Sequence, residues 1–119
     1  GDKVRRVGEV RFEGSRHMAR VVMAASFVDP EVRCAMNIRF TEAVVDRLRA
    51  TGAMVGTFDR GEEPAMVSSM EWGTAEAIRG CGHVPDVIYD RGGAGKEAMV
   101  RVLGRDPDDV LRKVSALMR

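Results

Sequence analysis

The chain has 119 residues, of which 45% are hydrophobic and 31% are charged, proportions typical of a soluble globular domain. Nineteen basic residues face 18 acidic ones, so the formal charge of +1 gives no general attraction to nucleic acid or to an anionic membrane. No apolar run approaches the roughly 18 residues of a membrane-spanning helix, and the N-terminus leads into no secretory apolar region. We therefore expect a single cytoplasmic domain over residues 1–119, with no membrane association and no direct nucleic acid contact.

Hydrophobic periodicity and capping signals predict strands and helices that alternate along the chain. Helix starts are indicated by Thr41 and by the Asp106-Pro107 pair, and Gly52 marks a helix end. The predicted elements, in chain order, are strand 4–12, helix 15–28, strand 32–40, helix 41–52, strand 53–58, helix 68–79, strand 87–89, strand 99–103 and a helix from 106 onward.

This order of elements predicts an α/β fold. Alternating strands and helices favour a three-layer α/β/α sandwich with a mostly parallel sheet. The last two strands follow one another without a helix, so we expect them to add an antiparallel edge. In open sheets of this kind, ligands bind beyond the carboxyl ends of the strands.

A glycine-rich loop follows the strand at 87–89. It contains Asp90, Gly95 and Lys96, with two further glycines between them, and could hold an anion through backbone amides and the lysine. The loop is not a phosphate-binding P-loop, because Asp90 stands where that motif needs its first glycine and Glu97 where it needs Ser or Thr. The alternative interpretation is a charged hairpin loop without a ligand.

Other polar residues sit where chemistry could take place. Ser15 and His17 at a helix start could form an anion site, or could simply cap the helix and lie on the surface. Asn37 interrupts an apolar strand, and a buried amide needs hydrogen-bond partners, so it pairs either with a neighbouring group or with a ligand, of which we favour the ligand. Asp59 and Arg60 follow the third strand. The two cysteines are far apart and lack metal or disulfide spacing, so we interpret them as small buried residues.

Several longer motifs together resemble the ThiN-type thiamine-phosphate synthase domain of archaea and some bacteria. They occur in the family's order and span the chain from about Val4 to the last helix. The matching stretches are Ala35-Met36-Asn37-Ile38-Arg39-Phe40, Phe58-Asp59-Arg60 with Glu63-Pro64, Ser68-Ser69-Met70-Glu71-Trp72-Gly73, Pro85-Asp86-Val87-Ile88-Tyr89-Asp90, Gly95-Lys96-Glu97 and Val102-Leu103-Gly104.

The resemblance implies a function, a fold and roles for individual residues. Such domains join hydroxymethylpyrimidine diphosphate to thiazole phosphate, and they are usually dimers with an α/β/α fold similar to the class II aldolase fold. His17 would then be the catalytic donor near the diphosphate. The resemblance leaves open whether Asn37, Asp59 and Asp90 contact the pyrimidine or whether the two acids hold a metal ion such as Mg²⁺. The implied substrate-binding residues are Ser15, Asn37, Arg39, Asp59, Arg60, Ser69, Trp72, Asp90, Gly95 and Lys96.

A second role is compatible with the same resemblance. Some family members are fused to helix-turn-helix domains and sense thiamine phosphate without catalysing its synthesis. The family's domain also normally carries a further N-terminal segment of substantial length, which we expect this chain to lack. The sequence alone therefore predicts a pocket for phosphorylated small molecules and leaves synthase and sensor as alternatives.

Overall fold

The computed structural model describes residues 15–65 and 69–118. The predicted strand 4–12 lies outside these residues. The described elements, in chain order, are α1 (Ser15–Val28), β1 (Cys34–Arg39), α2 (Glu42–Ala50), β2 (Val55–Thr57), a 3₁₀ turn (Arg60–Glu62), α3 (Ser69–Cys81), β3 (Val87–Asp90), β4 (Met99–Gly104), α4 (Pro107–Ser115) and a second 3₁₀ turn (Ala116–Met118).

Local capping explains where two of the helices begin. Thr41 has extended backbone angles, and its hydroxyl accepts a hydrogen bond from the Val44 amide at 3.0 Å, which satisfies one of the free amides of α2. The Asp106 carboxylate accepts from the Asp109 amide at 2.8 Å, and Pro107 is the first residue of α4. Both predicted helix starts are confirmed. In the described part of the chain, every helix is too short or too polar to cross a membrane.

The four described strands form one mixed sheet in the order β1-β4-β3-β2. Only β2 and β3 pair in parallel, whereas β4 is antiparallel to both β1 and β3. For the described strands, the prediction of a mostly parallel sheet with an antiparallel edge is therefore wrong. The eight residues between β3 and β4 are too few for a crossover, which needs about ten to twelve, so the two strands form a hairpin.

The position of β4 inside the sheet follows from its burial. Residues from Val100 to Gly104 are all buried, so both faces of the strand are covered, and both of its edges are paired. A strand of this kind belongs in the centre of a sheet, because an edge strand would expose its apolar side chains and unpaired backbone groups. β4 thus separates β1 from β3.

Three strands nevertheless end at the same edge of the sheet. Arg39, the last residue of β1, and Asp90, the last residue of β3, both lie opposite Met99 of β4. β2 runs parallel to β3, with Thr57 opposite Tyr89. We call this side the carboxyl edge. The segments that follow β1, β2 and β3 all leave the sheet there, which is where the sequence places most of its candidate site residues.

Helices cover both faces of the sheet. On one face, α2 and α4 pack through Val45, Leu48, Val110 and Val114 against apolar residues of the strands. On the other face, α1 and α3 contribute Val21, Ala25, Ala77 and Ile78, and they pack against Ile88 and Leu103. Because side chains alternate between the two faces along a strand, Asn37, Asp90 and Arg101 project toward the face covered by α1 and α3.

Candidate functional site

A buried carboxylate lies at the end of β3, on the carboxyl edge. Asp90 has no exposed surface. Its Oδ1 accepts hydrogen bonds from the Gly92 amide at 2.8 Å and from Arg60 Nε at 3.1 Å. Its Oδ2 lies 2.9 Å from Arg101 Nη2, which forms an ion pair. One carboxylate therefore connects the segment after β2, the loop after β3 and the middle of β4.

Arg101 is the largest fully buried side chain among the described residues, with 1% of its surface exposed. Burial lowers the pKa of its guanidinium from the ordinary value, and the neighbouring Asp90 carboxylate opposes that shift. The guanidinium carbon lies 5.4 Å from the centre of the Phe58 ring, within the range of a cation–π contact. Arginine resists deprotonation even when buried, so the sheet face carries a buried positive charge here.

Sequence reasoning missed Arg101. The apolar pattern of 99–103 predicts a strand and by itself gives the arginine within it no role. A signal was present, because a charged residue in the middle of an apolar strand must have a partner if both faces are buried. The same argument singled out Asn37, which lies opposite Arg101 on β1.

A second ion pair fastens the glycine loop to the segment that follows β2. Lys96 Nζ lies 2.8 Å from Glu63 Oε2, and the lysine side chain remains 40% exposed. Backbone hydrogen bonds join Gly93 and Lys96 in both directions, at 3.1 and 2.9 Å. Gly92 has a φ of +77°, and a Cβ there would lie 2.5 Å from the Lys96 carbonyl oxygen. The loop is therefore a tight, fixed turn that presents Lys96 at the carboxyl edge.

Asn37 is buried, with 5% of its surface exposed, as expected for a polar residue inside an apolar strand. Its Oδ1 has no hydrogen-bond partner among the residues that the structure describes. The Nε and Nη1 atoms of Arg101 also have no hydrogen-bond partner among these residues. Two neighbouring side chains thus keep unused hydrogen-bonding capacity on the same face of the sheet.

Aromatic rings border the polar cluster formed by Asn37, Arg60, Asp90 and Arg101. The Phe58 and Trp72 rings meet edge to face, with centroids 5.9 Å apart. Gly73 makes room for this arrangement, since a Cβ at that position would lie 2.4 Å from Cζ of Phe58. Trp72 is half-buried and belongs to the core on the α1 and α3 face, so its ring contributes to the wall beside Phe58.

Three other predicted site residues lie at the ends of strands at the carboxyl edge or in the segments that follow them, and three lie in the first turns of helices. Arg39 is exposed at the end of β1, and Gly95 is exposed in the loop with a φ of +70°. Asp59 caps the 3₁₀ turn, where its Oδ1 accepts from the Gly61 amide at 2.7 Å. The backbones of Ser15, His17 and Ser69 fall in the first turns of α1 and α3, but their side chains are not among the described ones.

The hypothesis of a metal ion at Asp59 and Asp90 does not fit this geometry. Among the described residues, no three His, Cys, Asp or Glu side chains converge as ligands would. Asp90 Oδ1 accepts from the Gly92 amide and from Arg60 Nε, and Oδ2 lies 2.9 Å from Arg101 Nη2, so positively charged groups rather than further metal ligands surround this carboxylate. Asp59 uses Oδ1 as a cap. The cluster is therefore suited to anions and polar groups rather than to a protein-held metal.

Two cavities of about 490 and 810 Å³ lie at the opposite edge of the sheet. Both are lined by Lys113, whose Nζ donates to the Leu103 carbonyl oxygen at 2.7 Å and lies 2.9 Å from Asp86 Oδ1. These contacts tie α4 to the sheet. Because the polar groups are already paired within the fold, we assign the chemistry to the carboxyl edge.

Comparison with known proteins agrees with the motifs. The family model for thiamine-phosphate synthase ThiN matches residues 1–116. The chain is 48% identical over 113 residues to the bifunctional thiamine biosynthesis protein ThiDN of Methanocaldococcus jannaschii, covering 95% of this chain and 27% of that protein. It is 37% identical over 113 residues to thiamine-phosphate synthase ThiN of Methanothermobacter thermautotrophicus, covering 91% of this chain and 60% of that protein.

A solved structure shows the same fold. The crystal structure of the C-terminal domain of phosphomethylpyrimidine kinase superposes with a TM-score of 0.79 at 35% identity, over 85% of this chain and 60% of that one. The chain thus spans less than two thirds of the length of each relative. Since the family model covers nearly all of the sequence, the chain belongs to the thiamine-phosphate synthase ThiN family.

Proposed function

We propose that this chain catalyses thiamine-phosphate synthesis, joining hydroxymethylpyrimidine diphosphate to thiazole phosphate with release of pyrophosphate. The observation that carries the proposal is the match of the ThiN family model to residues 1–116. The name of the Methanothermobacter relative supports it. The exposed cations Arg39 and Lys96 at the carboxyl edge support it independently, because both substrates carry phosphate groups.

The reaction is an alkyl transfer. The bond between the pyrimidine CH₂ and the diphosphate oxygen breaks, and its electron pair leaves with the diphosphate. The thiazole nitrogen supplies the pair for the new C–N bond. Because the pyrimidine amino group can donate electrons toward the CH₂, the protein's tasks are to align the two substrates and to stabilise the charge on the departing diphosphate.

The cluster at the carboxyl edge has the composition that this task requires. Arg60, Arg101 and Lys96 carry three positive charges, and Asp90 and Glu63 carry two negative ones. These five side chains therefore carry a net charge of +1. Ion pairs hold these groups in place before a ligand arrives, so little reorganisation is needed when negative charge develops on the leaving group. We assign Lys96 and Arg60, together with Arg39, to the phosphate groups.

His17 is the proposed catalytic donor to the diphosphate. α1 ends shortly before β1 begins at the opposite edge, and it packs on the sheet, so its first turn is directed toward the carboxyl edge. Free backbone amides at a helix N-terminus attract phosphate, and an imidazolium can add a proton or a hydrogen bond there. Ser15 and Ser69, in the first turns of α1 and α3, are proposed to bind the same anion.

We also propose the finer features that the family resemblance implies. These are a three-layer α/β/α sandwich similar to the class II aldolase fold, a homodimer and a cytoplasmic location. Two helices on each face of the described sheet support the layered arrangement. Light scattering of the purified chain would test the dimer, because a mass close to that of one chain would contradict it.

A pyrophosphate-release assay tests the function. The chain is incubated with both precursors and with each precursor alone, and thiamine phosphate is measured by its mass. We expect stoichiometric release of pyrophosphate and thiamine phosphate only when both precursors are present. Tight binding of thiamine phosphate without any release would overturn the synthase proposal in favour of the sensor role.

A further inference from the structure

Asn37 and Arg101 form a polar pair beneath the carboxyl edge. They lie directly opposite each other on β1 and β4, each two residues inward from the edge pair of Arg39 and Met99. Two residues of strand correspond to roughly 7 Å of depth. Both side chains project toward the face covered by α1 and α3, and they are 5% and 1% exposed.

The pair offers complementary hydrogen-bonding atoms that the described fold does not use. Asn37 Oδ1 is an acceptor without a partner, and Arg101 Nε and Nη1 are donors without one, among the residues that the structure describes. Leaving buried polar atoms unpaired destabilises a fold, because they lose their hydrogen bonds to water without replacing them. A fold carries such groups when a ligand completes them, and here an acceptor and two donors lie side by side.

Charge identifies the kind of ligand. The guanidinium of Arg101 has a counter-charge 2.9 Å away in Asp90 Oδ2, which Arg60 shares, and its Nε and Nη1 atoms remain as hydrogen-bond donors. A phosphate taken to this depth would lose its water without gaining a free cation, whereas Lys96 and Arg39 offer exposed charge at the edge.

We propose that Asn37 and Arg101 form the subsite for the aminopyrimidine ring, with Asn37 Oδ1 accepting from the ring's amino group and Arg101 donating to a ring nitrogen. The phosphate groups then lie toward the carboxyl edge, at Lys96 and Arg39. This inference rests on the proposed function, and it assigns Arg101 a specificity-determining role. It also fixes the orientation of the substrate, ring inward and diphosphate outward.

The test combines a change in the ligand with a change in the protein. The first probe is hydroxymethylpyrimidine diphosphate, and the second is the same compound with hydrogen in place of the amino group. Binding of each is measured by calorimetry without the thiazole substrate, so that no turnover occurs. The proteins are the wild-type chain, Asn37→Ala and the control Arg33→Met, which changes an exposed residue next to the opposite end of β1.

We expect the wild-type chain and Arg33→Met to bind the amino compound at least tenfold more tightly than its analogue, because the analogue leaves Asn37 Oδ1 unpaired. In Asn37→Ala the difference should fall below about threefold, since the acceptor is gone. Equal binding of the two probes by the wild-type chain, with normal synthesis, would overturn the inference alone. Failure of the wild-type chain to bind the substrate or to make product would overturn the proposed function as well.

Arg101→Lys provides a second measurement, because it keeps the positive charge beside Asp90 and removes the guanidinium. We expect it to weaken binding of the pyrimidine diphosphate at least tenfold and of thiazole phosphate less than twofold. An equal loss for both ligands would assign Arg101 to phosphate binding and contradict the inference. If this variant does not fold, the Asn37→Ala comparison decides the question by itself.

Discussion

Asp90 and Arg101 form a buried ion pair between neighbouring strands, with Oδ2 and Nη2 2.9 Å apart and with at most 2% of either side chain exposed. The same carboxylate also accepts from Arg60 Nε and from the Gly92 amide. One side chain therefore determines both the charge balance of the sheet face and the position of the glycine loop.

We predict that Asp90→Asn destabilises the protein strongly. The substitution leaves Arg101 buried without a counter-charge, and removing one partner of a buried pair costs about 3–5 kcal/mol. Urea unfolding at neutral pH measures the free energy of unfolding. Asp46→Asn is the matched control, because Asp46 is exposed on α2 and the expected change is within about 0.5 kcal/mol. Equal stability of the two variants would show that the ion pair contributes nothing to the fold.

The glycine loop gives a second prediction. Gly92→Ala combines a positive φ with a Cβ only 2.5 Å from a backbone oxygen, so the loop must move and take Lys96 with it. We expect a loss of about 2 kcal/mol or more in stability and a large loss of affinity for thiamine phosphate.

Gly95→Ala distinguishes the cost of a positive φ from the cost of a steric clash. Gly95 also has a positive φ, of +70°, but a Cβ there has no neighbour within 4 Å. We expect a loss of about 1 kcal/mol, the cost of the left-handed conformation alone. Comparable effects of the two substitutions on ligand affinity would contradict the view that the close approach of Gly92 to Lys96 holds the loop.

A third prediction concerns acid stability. The pKa of Asp109 is lowered from its ordinary value, chiefly because its carboxylate accepts a hydrogen bond from the Arg105 amide, and the Arg112 guanidinium adds to this effect. The stabilisation is fully present above the unfolded-state pKa of about 3.9 and is lost as the pH falls through the lower folded-state pKa.

Asp109→Asn should therefore lower the melting temperature at pH 7 by several degrees, and the difference from the wild type should shrink below about pH 3. Asp108→Asn is the control, because Asp108 is exposed in the same first turn of α4. Thermal unfolding followed from pH 2 to pH 7 checks both variants. A difference that stays constant across this range would rule out the charge of Asp109 as the cause.

The fourth prediction addresses catalysis. On the resemblance to the family, His17 acts on the departing diphosphate, so His17→Ala should reduce the rate of synthesis more than the affinity for thiamine phosphate. Steady-state kinetics and calorimetry on the same preparation measure the two quantities. An unchanged rate would remove His17 from the catalytic residues, and an equal loss of rate and affinity would assign it to binding.

The sequence by itself determined the features that depend on near neighbours. The caps at Thr41 and Asp106 are hydrogen bonds between residues three positions apart, so the starts of α2 and α4 could be predicted without knowing the rest of the fold. The four described strands could be predicted from their apolar runs, and the burial of Asn37 followed from its position in such a run. The family could be recognised because its motifs are long and occur in a fixed order.

Only the tertiary structure decided which of these segments meet. β4 lies between β1 and β3 because strand pairing is set by hydrogen bonds and packing between distant residues, which periodicity does not report. In the same way, Asp90 joins Arg60 and Arg101 across 30 and 11 positions of sequence, although each was visible as a single charged residue. The role of a buried charge depends on the groups that pair with it, and strand pairing in the sheet brings Arg60 and Arg101 to Asp90.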